Sequence, residues 1–158
     1  MLKTGKIAPD FSLPFFNGGK ANLYSAGKTA VLAFYKFSCP ICQFTFPFLQ
    51  KIFEQFGESF YFVAIAQDAA DKVTPFRETY GITIPTAMDL PPYPVSNAYG
   101  IEIVPSLFVI AEDHRIKMSF ESFDKKQIQK TADLLAEKSG RKSFDVFEGE
   151  AVPELRPG

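Results

Sequence analysis

The apolar positions of this 158-residue chain change period along its length. Thr29–Tyr35 and Phe60–Ala66 are near-continuous apolar runs, the pattern of strands buried on both faces. Between them Ile41, Phe44, Phe48, Ile52, Phe53 and Phe56 recur three or four residues apart, which predicts one amphipathic helix with Gly57 as its stop. Upstream, residues 8–24 carry Pro9, Pro14 and the turn Asn17-Gly18-Gly19. They read as an N-terminal hairpin with Phe11, Leu13 and Leu23 facing inward.

Downstream the alternation continues. Asp71–Tyr80 reads as a short helix with Pro75 in its first turn and Gly81 just past its end. Ile84–Met88 reads as a short strand, and Tyr93–Tyr99 as a helical turn closing at Gly100. Ser106–Ala111 and Arg115–Phe120 form an apolar pair of strands around Glu112-Asp113-His114. Asp124 suits the N-cap of a last helix through Lys138, with Gln127 placed for a capping-box contact. Strands alternating with helices in this way predict an α/β sandwich around a central sheet. The character changes near Gly140. Residues 1–140 are expected to form the domain, and residues 141–158, with Pro153, Pro157 and several acids, an extended tail packed on it or leaving it.

Composition narrows the function classes. Hydrophobic residues make up 46% of the chain and 18 of them are Phe, enough for a sizeable single core. A net charge of −1 with scattered Lys and Arg gives nothing that favours nucleic acid or an anionic membrane. No apolar run approaches the roughly 20 residues of a membrane span. The first residues, Met1-Leu2-Lys3-Thr4-Gly5-Lys6, lack the apolar core of a signal peptide. The expectation is a cytoplasmic protein, or a periplasmic or secreted one if a leader has been removed.

The chain has two cysteines, and they sit two residues apart as Cys39-Pro40-Ile41-Cys42. A zinc site needs about four N/S ligands, and His114 is the one histidine available to add to the pair. No metal is expected. A structural Cys39–Cys42 disulfide would close a tiny loop and remove little unfolded-state entropy. The remaining reading is redox chemistry: a strand ending at Phe34-Tyr35-Lys36-Phe37-Ser38, then the pair, then a helix from Ile41. On the first turn of that helix the unpaired backbone N–H groups favour a thiolate on Cys39.

Over roughly residues 5–138 the chain resembles the thioredoxin superfamily, in its redoxin or AhpC/TSA-like branch. Four markers carry the resemblance: Pro9-Asp10-Phe11-Ser12-Leu13-Pro14, Cys39-Pro40-Ile41-Cys42, Pro47 five residues after Cys42, and Val104-Pro105-Ser106 before the strand Leu107-Phe108-Val109-Ile110. The resemblance implies a thioredoxin-like fold, a central mixed sheet flanked by helices with an N-terminal β-hairpin extension. It implies a cis-Pro105 loop whose Val104 backbone meets the substrate, and the turn residues Pro40 and Ile41 as tuners of the redox pair. It implies thiol–disulfide exchange with Cys39 as nucleophile and Cys42 as resolving thiol, needing no cofactor beyond that pair. The partners implied are a disulfide-bearing protein substrate and a thiol electron donor, with no nucleic acid, for a monomer or weak dimer.

The chain departs from the family around the pair. Ser38 stands where thioredoxins have Trp, Ala33 where they bury an Asp, and Thr45 where the cytochrome-maturation reductases place a Glu. Lys36 and Thr45 are candidates to assist Cys42, as is Asp68 in the loop after the second strand. A peroxiredoxin-like peroxidase is the alternative enzyme, but its Pro-x-x-x-Thr-x-x-Cys motif and later Arg are replaced by Leu32, Lys36 and Pro105. A non-catalytic binding module, using Phe37, Ile41, Phe44 and Tyr93 as an apolar patch, is the alternative from another class.

Overall fold

All six residues of the strand Ala30–Tyr35 (β3, after two short strands described below) are buried in the computed structural model, which describes residues 1–158. Its side chains divide by alternation: Val31, Ala33 and Tyr35 enter one apolar cluster, and Ala30, Leu32 and Phe34 a second on the opposite face. That two-sided burial is why the run carries no polar residue. β3 pairs in parallel with β4 (Tyr61–Ala66), which pairs in parallel with β5 (Thr86–Met88). On its other side it pairs antiparallel with β6 (Ser106–Ile110), and β6 with β7 (Ile116–Glu121). The result is a mixed five-stranded sheet in the order β5-β4-β3-β6-β7.

β1 (Ser12–Pro14) and β2 (Lys20–Asn22) form the N-terminal hairpin, and Phe11, Leu13 and Leu23 are buried in the second cluster as their spacing predicts. Phe15 bridges Ala87 at one edge of the main sheet, and Ile7 bridges Arg115 at the other, so the N-terminal segment reaches both exposed edges. The helices α1 (Pro40–Phe56), α2 (Ala70–Tyr80) and α4 (Lys125–Ser139) feed the first cluster, and the five-residue α3 (Pro94–Ala98) feeds the second. Asp89 is buried and satisfied, accepting the N–H groups of Val95 and Ser96 at the start of α3. No helix is long and apolar enough to cross a membrane.

Two local expectations change, while Gly57 ends α1 as its place predicts, in the right-handed region with φ −61° and ψ −24°. Its lack of a side chain matters for space, since a Cβ there would lie 2.6 Å from the Phe53 ring. Pro75 is the sixth residue of α2, because that helix starts at Ala70. Asp124 does cap α4, accepting the Gln127 N–H at 3.1 Å, but Gln127 returns no capping-box bond; the chain N–H next to the cap, that of Lys125, goes instead to the Glu154 carbonyl.

Residues 141–158 lie on the domain. Val146 and Phe147 are buried in the first cluster, and Gln129 of α4 holds this stretch by donating to the Phe144 carbonyl and accepting from the Val146 N–H. The chain then returns as β9 (Leu155–Arg156), antiparallel to β8 (Phe123–Asp124).

Candidate active site

Residues 36–39 carry the chain from the end of β3 to the start of α1, and the turn is fastened from three sides. The Cys39 N–H donates to the Lys36 carbonyl, the Gln43 amide donates to the Phe37 carbonyl, and the Phe37 N–H donates to the Asp68 carboxylate at 2.8 Å. Asp68 follows β4 by two residues. Because β3 and β4 run in parallel register, with Tyr35 opposite Ala66, their carboxyl ends coincide and bring Asp68 to the turn.

Cys39 is extended (φ −81°, ψ 114°) and is the N-cap of α1, followed by Pro40 at the first helical position. Its sulfur accepts the Cys42 N–H at 3.2 Å, in the place a Ser or Asp oxygen ordinarily fills. A negative charge on that sulfur is held by the Cys42 thiol hydrogen bond first, and also by the backbone N–H groups of Cys42 and Ile41. These outweigh burial and bring the Cys39 thiol down to about 6. Cys42 is fully buried, and burial first, then its hydrogen bond to Cys39, pushes its thiol far above the ordinary range. One sulfur is poised as a thiolate and its neighbour is kept protonated.

The Val104–Pro105 peptide is cis, as expected from the resemblance, and Pro105 is buried. The Val104 carbonyl accepts the Cys39 thiol at 3.5 Å, so this loop lies across the sulfur. Ile41 is half-buried at the foot of the site, and Pro40 is exposed.

Lys36 contributes through its backbone. Its carbonyl accepts from Cys39 and its N–H favours the Cys42 thiolate, while the side chain is exposed. Thr45 is buried one turn beyond Cys42, with no protein partner for its hydroxyl; the Tyr35 hydroxyl is in the same condition. Positions 33 and 45 hold no carboxylate, and the acidic group beside this turn is Asp68. It is buried, its own acidity is weakened first by burial, and its charge is felt by both Cys42 and Tyr35. Of the suggested apolar patch, Phe37, Ile41 and Phe44 are half-buried against the first cluster, whereas Tyr93 caps α3, a helix of the opposite face. The sequence did not point to the buried Tyr35 hydroxyl or to Arg156 beside the site. Arg156 stacks over the Phe44 ring with 4.6 Å to its centroid.

A helix-capping thiol, a buried second thiol and a cis-proline loop thus meet on a sheet of thioredoxin-like topology. The chain belongs to the AhpC/TSA family, whose model matches residues 4–119. It is 29% identical over 120 residues to the thiol-disulfide oxidoreductase ResA of Geobacillus thermodenitrificans (strain NG80-2), an alignment covering 73% of this chain and 68% of that protein. The thioredoxin domain of a thiol-disulfide oxidoreductase from Bacteroides vulgatus superposes with a TM-score of 0.74 at 18% identity, covering 85% of this chain and 98% of that one. Peroxidoxin BcpB from Mycobacterium tuberculosis superposes with a TM-score of 0.70 at 24% identity, covering 90% of this chain and 100% of that one. At these identities the two structures establish the shared fold.

Proposed function

We propose that the protein exchanges disulfides through the Cys39–Cys42 pair, with no added cofactor. The Cys39 thiolate attacks one sulfur of a substrate disulfide, forms a mixed disulfide and expels the other sulfur as a thiolate. Cys42 then loses its proton and attacks the Cys39 sulfur. The Cys39–Cys42 disulfide forms, the second substrate thiolate leaves, and two electrons have passed from protein to substrate. A thiol donor returns the pair to the dithiol. The observation that carries this reading is the asymmetry of the two sulfurs, set by the 3.2 Å Cys42 N–H to Cys39 bond and the burial of Cys42. The relation to ResA supports the same chemistry.

Asp68 is the acceptor we assign to the Cys42 proton. It is the buried carboxylate whose charge reaches Cys42, and its weakened acidity suits it to take a proton. The substrate class follows as accessible disulfides of proteins or small molecules. The test is reduction of insulin disulfides in the presence of dithiothreitol: Cys39→Ser abolishes it, and Cys42→Ser accumulates the mixed disulfide. Undiminished turnover by Cys39→Ser overturns the assignment. The reduction potential of the pair then gives the direction of exchange, about −270 mV marking a reductant and about −120 mV an oxidant.

A peroxidase reading draws on the AhpC/TSA family and on the likeness to BcpB. It needs donors around the peroxide oxygens, and the positions for them hold Leu32, Lys36 and Pro105, of which Leu32 and Pro105 are buried and apolar and Lys36 points to solvent. Consumption of hydrogen peroxide with a thioredoxin donor at rates matching its disulfide reduction would favour it over exchange.

A further inference from the structure

The segment after Val152 passes close to the reactive sulfur. The Lys125 N–H donates to the Glu154 carbonyl, Leu155 and Arg156 pair with Asp124 and Phe123, and the Gly158 N–H donates to the Ser122 hydroxyl at 2.9 Å. Gly158 lies against the loop that crosses Cys39: a Cβ on it would lie 2.3 Å from the Val104 carbonyl oxygen and 2.9 Å from the Ile103 side chain. That same oxygen accepts the Cys39 thiol. Arg156 meanwhile covers Phe44, which is half-buried two residues after Cys42.

The loop under this segment is an incomplete backbone edge. The N–H groups of Glu102, Ile103 and Val104 donate to nothing in the protein, and the Val104 carbonyl accepts only from sulfur. An extended polypeptide brought to Cys39 would find its backbone partners here, as a strand adds to an open edge. A compact disulfide, with two sulfurs and little else, needs only a line of approach to Cys39. The segment is also lightly held. Leu155 is exposed, β8 and β9 are two residues each, and the ion pair Lys125–Glu154 is 3.9 Å long and solvent-facing. Its anchor is elsewhere, at the buried Val146 and Phe147.

We propose that residues 154–158 are a displaceable strap that determines substrate choice: it leaves Cys39 open to compact disulfides and must move off the 102–104 edge before an extended polypeptide disulfide can be engaged. The proposal rests on Cys39 being the attacking thiol. Ser122 and Arg156 are specificity-determining residues in this scheme, holding the strap without touching the reacting sulfurs.

The test has two arms on the chain of residues 1–158. In the first, Ser122→Ala/Arg156→Ala is compared with the unmodified protein on hydroxyethyl disulfide and on an unstructured peptide carrying one disulfide-linked cysteine. The expected result is kcat/KM raised about fivefold for the peptide, through KM as when binding outside the chemical step changes, with the small disulfide within about twofold. Equal change on both substrates, or none on the peptide, overturns the strap.

In the second arm, Cys42→Ser protein is loaded at Cys39 by pyridyl-disulfide forms of the same peptide and of mercaptoethanol. The Cys39 thiolate forms the new S–S bond, and thiopyridone leaves with the electron pair of the old one. Hydrogen exchange of residues 152–158 is expected to rise with the peptide adduct and to stay at the free-protein level with the small one. Equal protection in both adducts overturns the strap whatever the kinetics give. Loading of the Cys39→Ser protein, through its remaining thiol Cys42, as fast as that of the Cys42→Ser protein removes Cys39 as the attacking thiol and identifies the failure as that of the exchange reading.

Discussion

Cys39 and Cys42 are separated by one helical turn, yet their surroundings are opposite. Around Cys39 the polar partners are the Cys42 thiol and backbone groups, the N–H groups of Ile41 and Cys42 and the Val104 carbonyl, and the sulfur is only partly buried. Around Cys42 the walls are side chains of the first cluster, with buried polar groups set among them, Tyr35, Thr45 and Asp68. The first environment stabilises a charge and admits a reactant. The second withholds charge until a proton has somewhere to go. A disulfide exchanger needs both, because the attacking thiol must be ionised at rest and the resolving thiol only after the mixed disulfide exists.

Exchanging the roles is the largest break of this comparison. Cys39→Ser is expected to lower disulfide reduction by more than about 10³-fold, as removal of a nucleophile does. Cys42→Ser should leave capture intact and stop the reaction at the mixed disulfide, visible by mass spectrometry as one adduct per chain. Loss of capture in Cys42→Ser would show that the two sites are not divided in this way.

Asp68→Asn addresses the buried side alone. The amide oxygen can still accept the Phe37 N–H, so the turn is kept while the proton acceptor is lost. Resolution of the mixed disulfide should slow by about 10²-fold, the lower range for general-base catalysis. Alkylation of Cys39 should change little. If both steps slow together, Asp68 acts by holding the turn.

A pH series separates the sulfurs more gently. Alkylation of reduced protein by iodoacetamide should be half-maximal near pH 6 and report Cys39 alone, with Cys42 silent in the native state. The sign for stability follows. The folded thiol is depressed below its unfolded value of about 8.5, so the thiolate stabilises the native dithiol at high pH and that contribution is lost as pH falls through about 6. Solvent around the half-exposed sulfur screens the effect and keeps it small. Urea titrations at pH 8.5 and pH 5 should show this loss in the native chain and not in Cys39→Ser.

The smallest expected effect is at Thr45. Its hydroxyl is buried without a protein partner, so Thr45→Val, which keeps the shape, should raise stability by about 1 kcal/mol. Disulfide reduction should be unchanged. A slower resolution step in Thr45→Val would bring that hydroxyl into proton transfer beside Asp68.

Much of this molecule is legible in the chain because its signals are local. The continuous run at 29–35 announces a strand with two buried faces, and the three-to-four spacing from Ile41 to Phe56 announces the helix packed on it. Cys39 at the start of that helix carries its own chemistry, since helix-end N–H groups act over one turn of sequence. Pro105 needed the resemblance as well as the sequence, and Gly57 shows the limit of a local rule: the glycine serves the Phe53 ring, a contact that no stop signal encodes.

What only the tertiary structure decided lies at a distance along the chain. Asp68 is 31 residues from Phe37 and reaches it because two parallel strands end at the same level. Gly158 lies beside Val104 because β9 pairs with β8, and two residues of pairing leave no periodic trace in sequence. Local periodicity and spacing therefore determined the sheet, the active-site helix and the paired thiols. The proposed proton acceptor and the proposed strap rest on contacts between segments whose own residues favour nothing in particular, and such contacts exist only once the chain is folded.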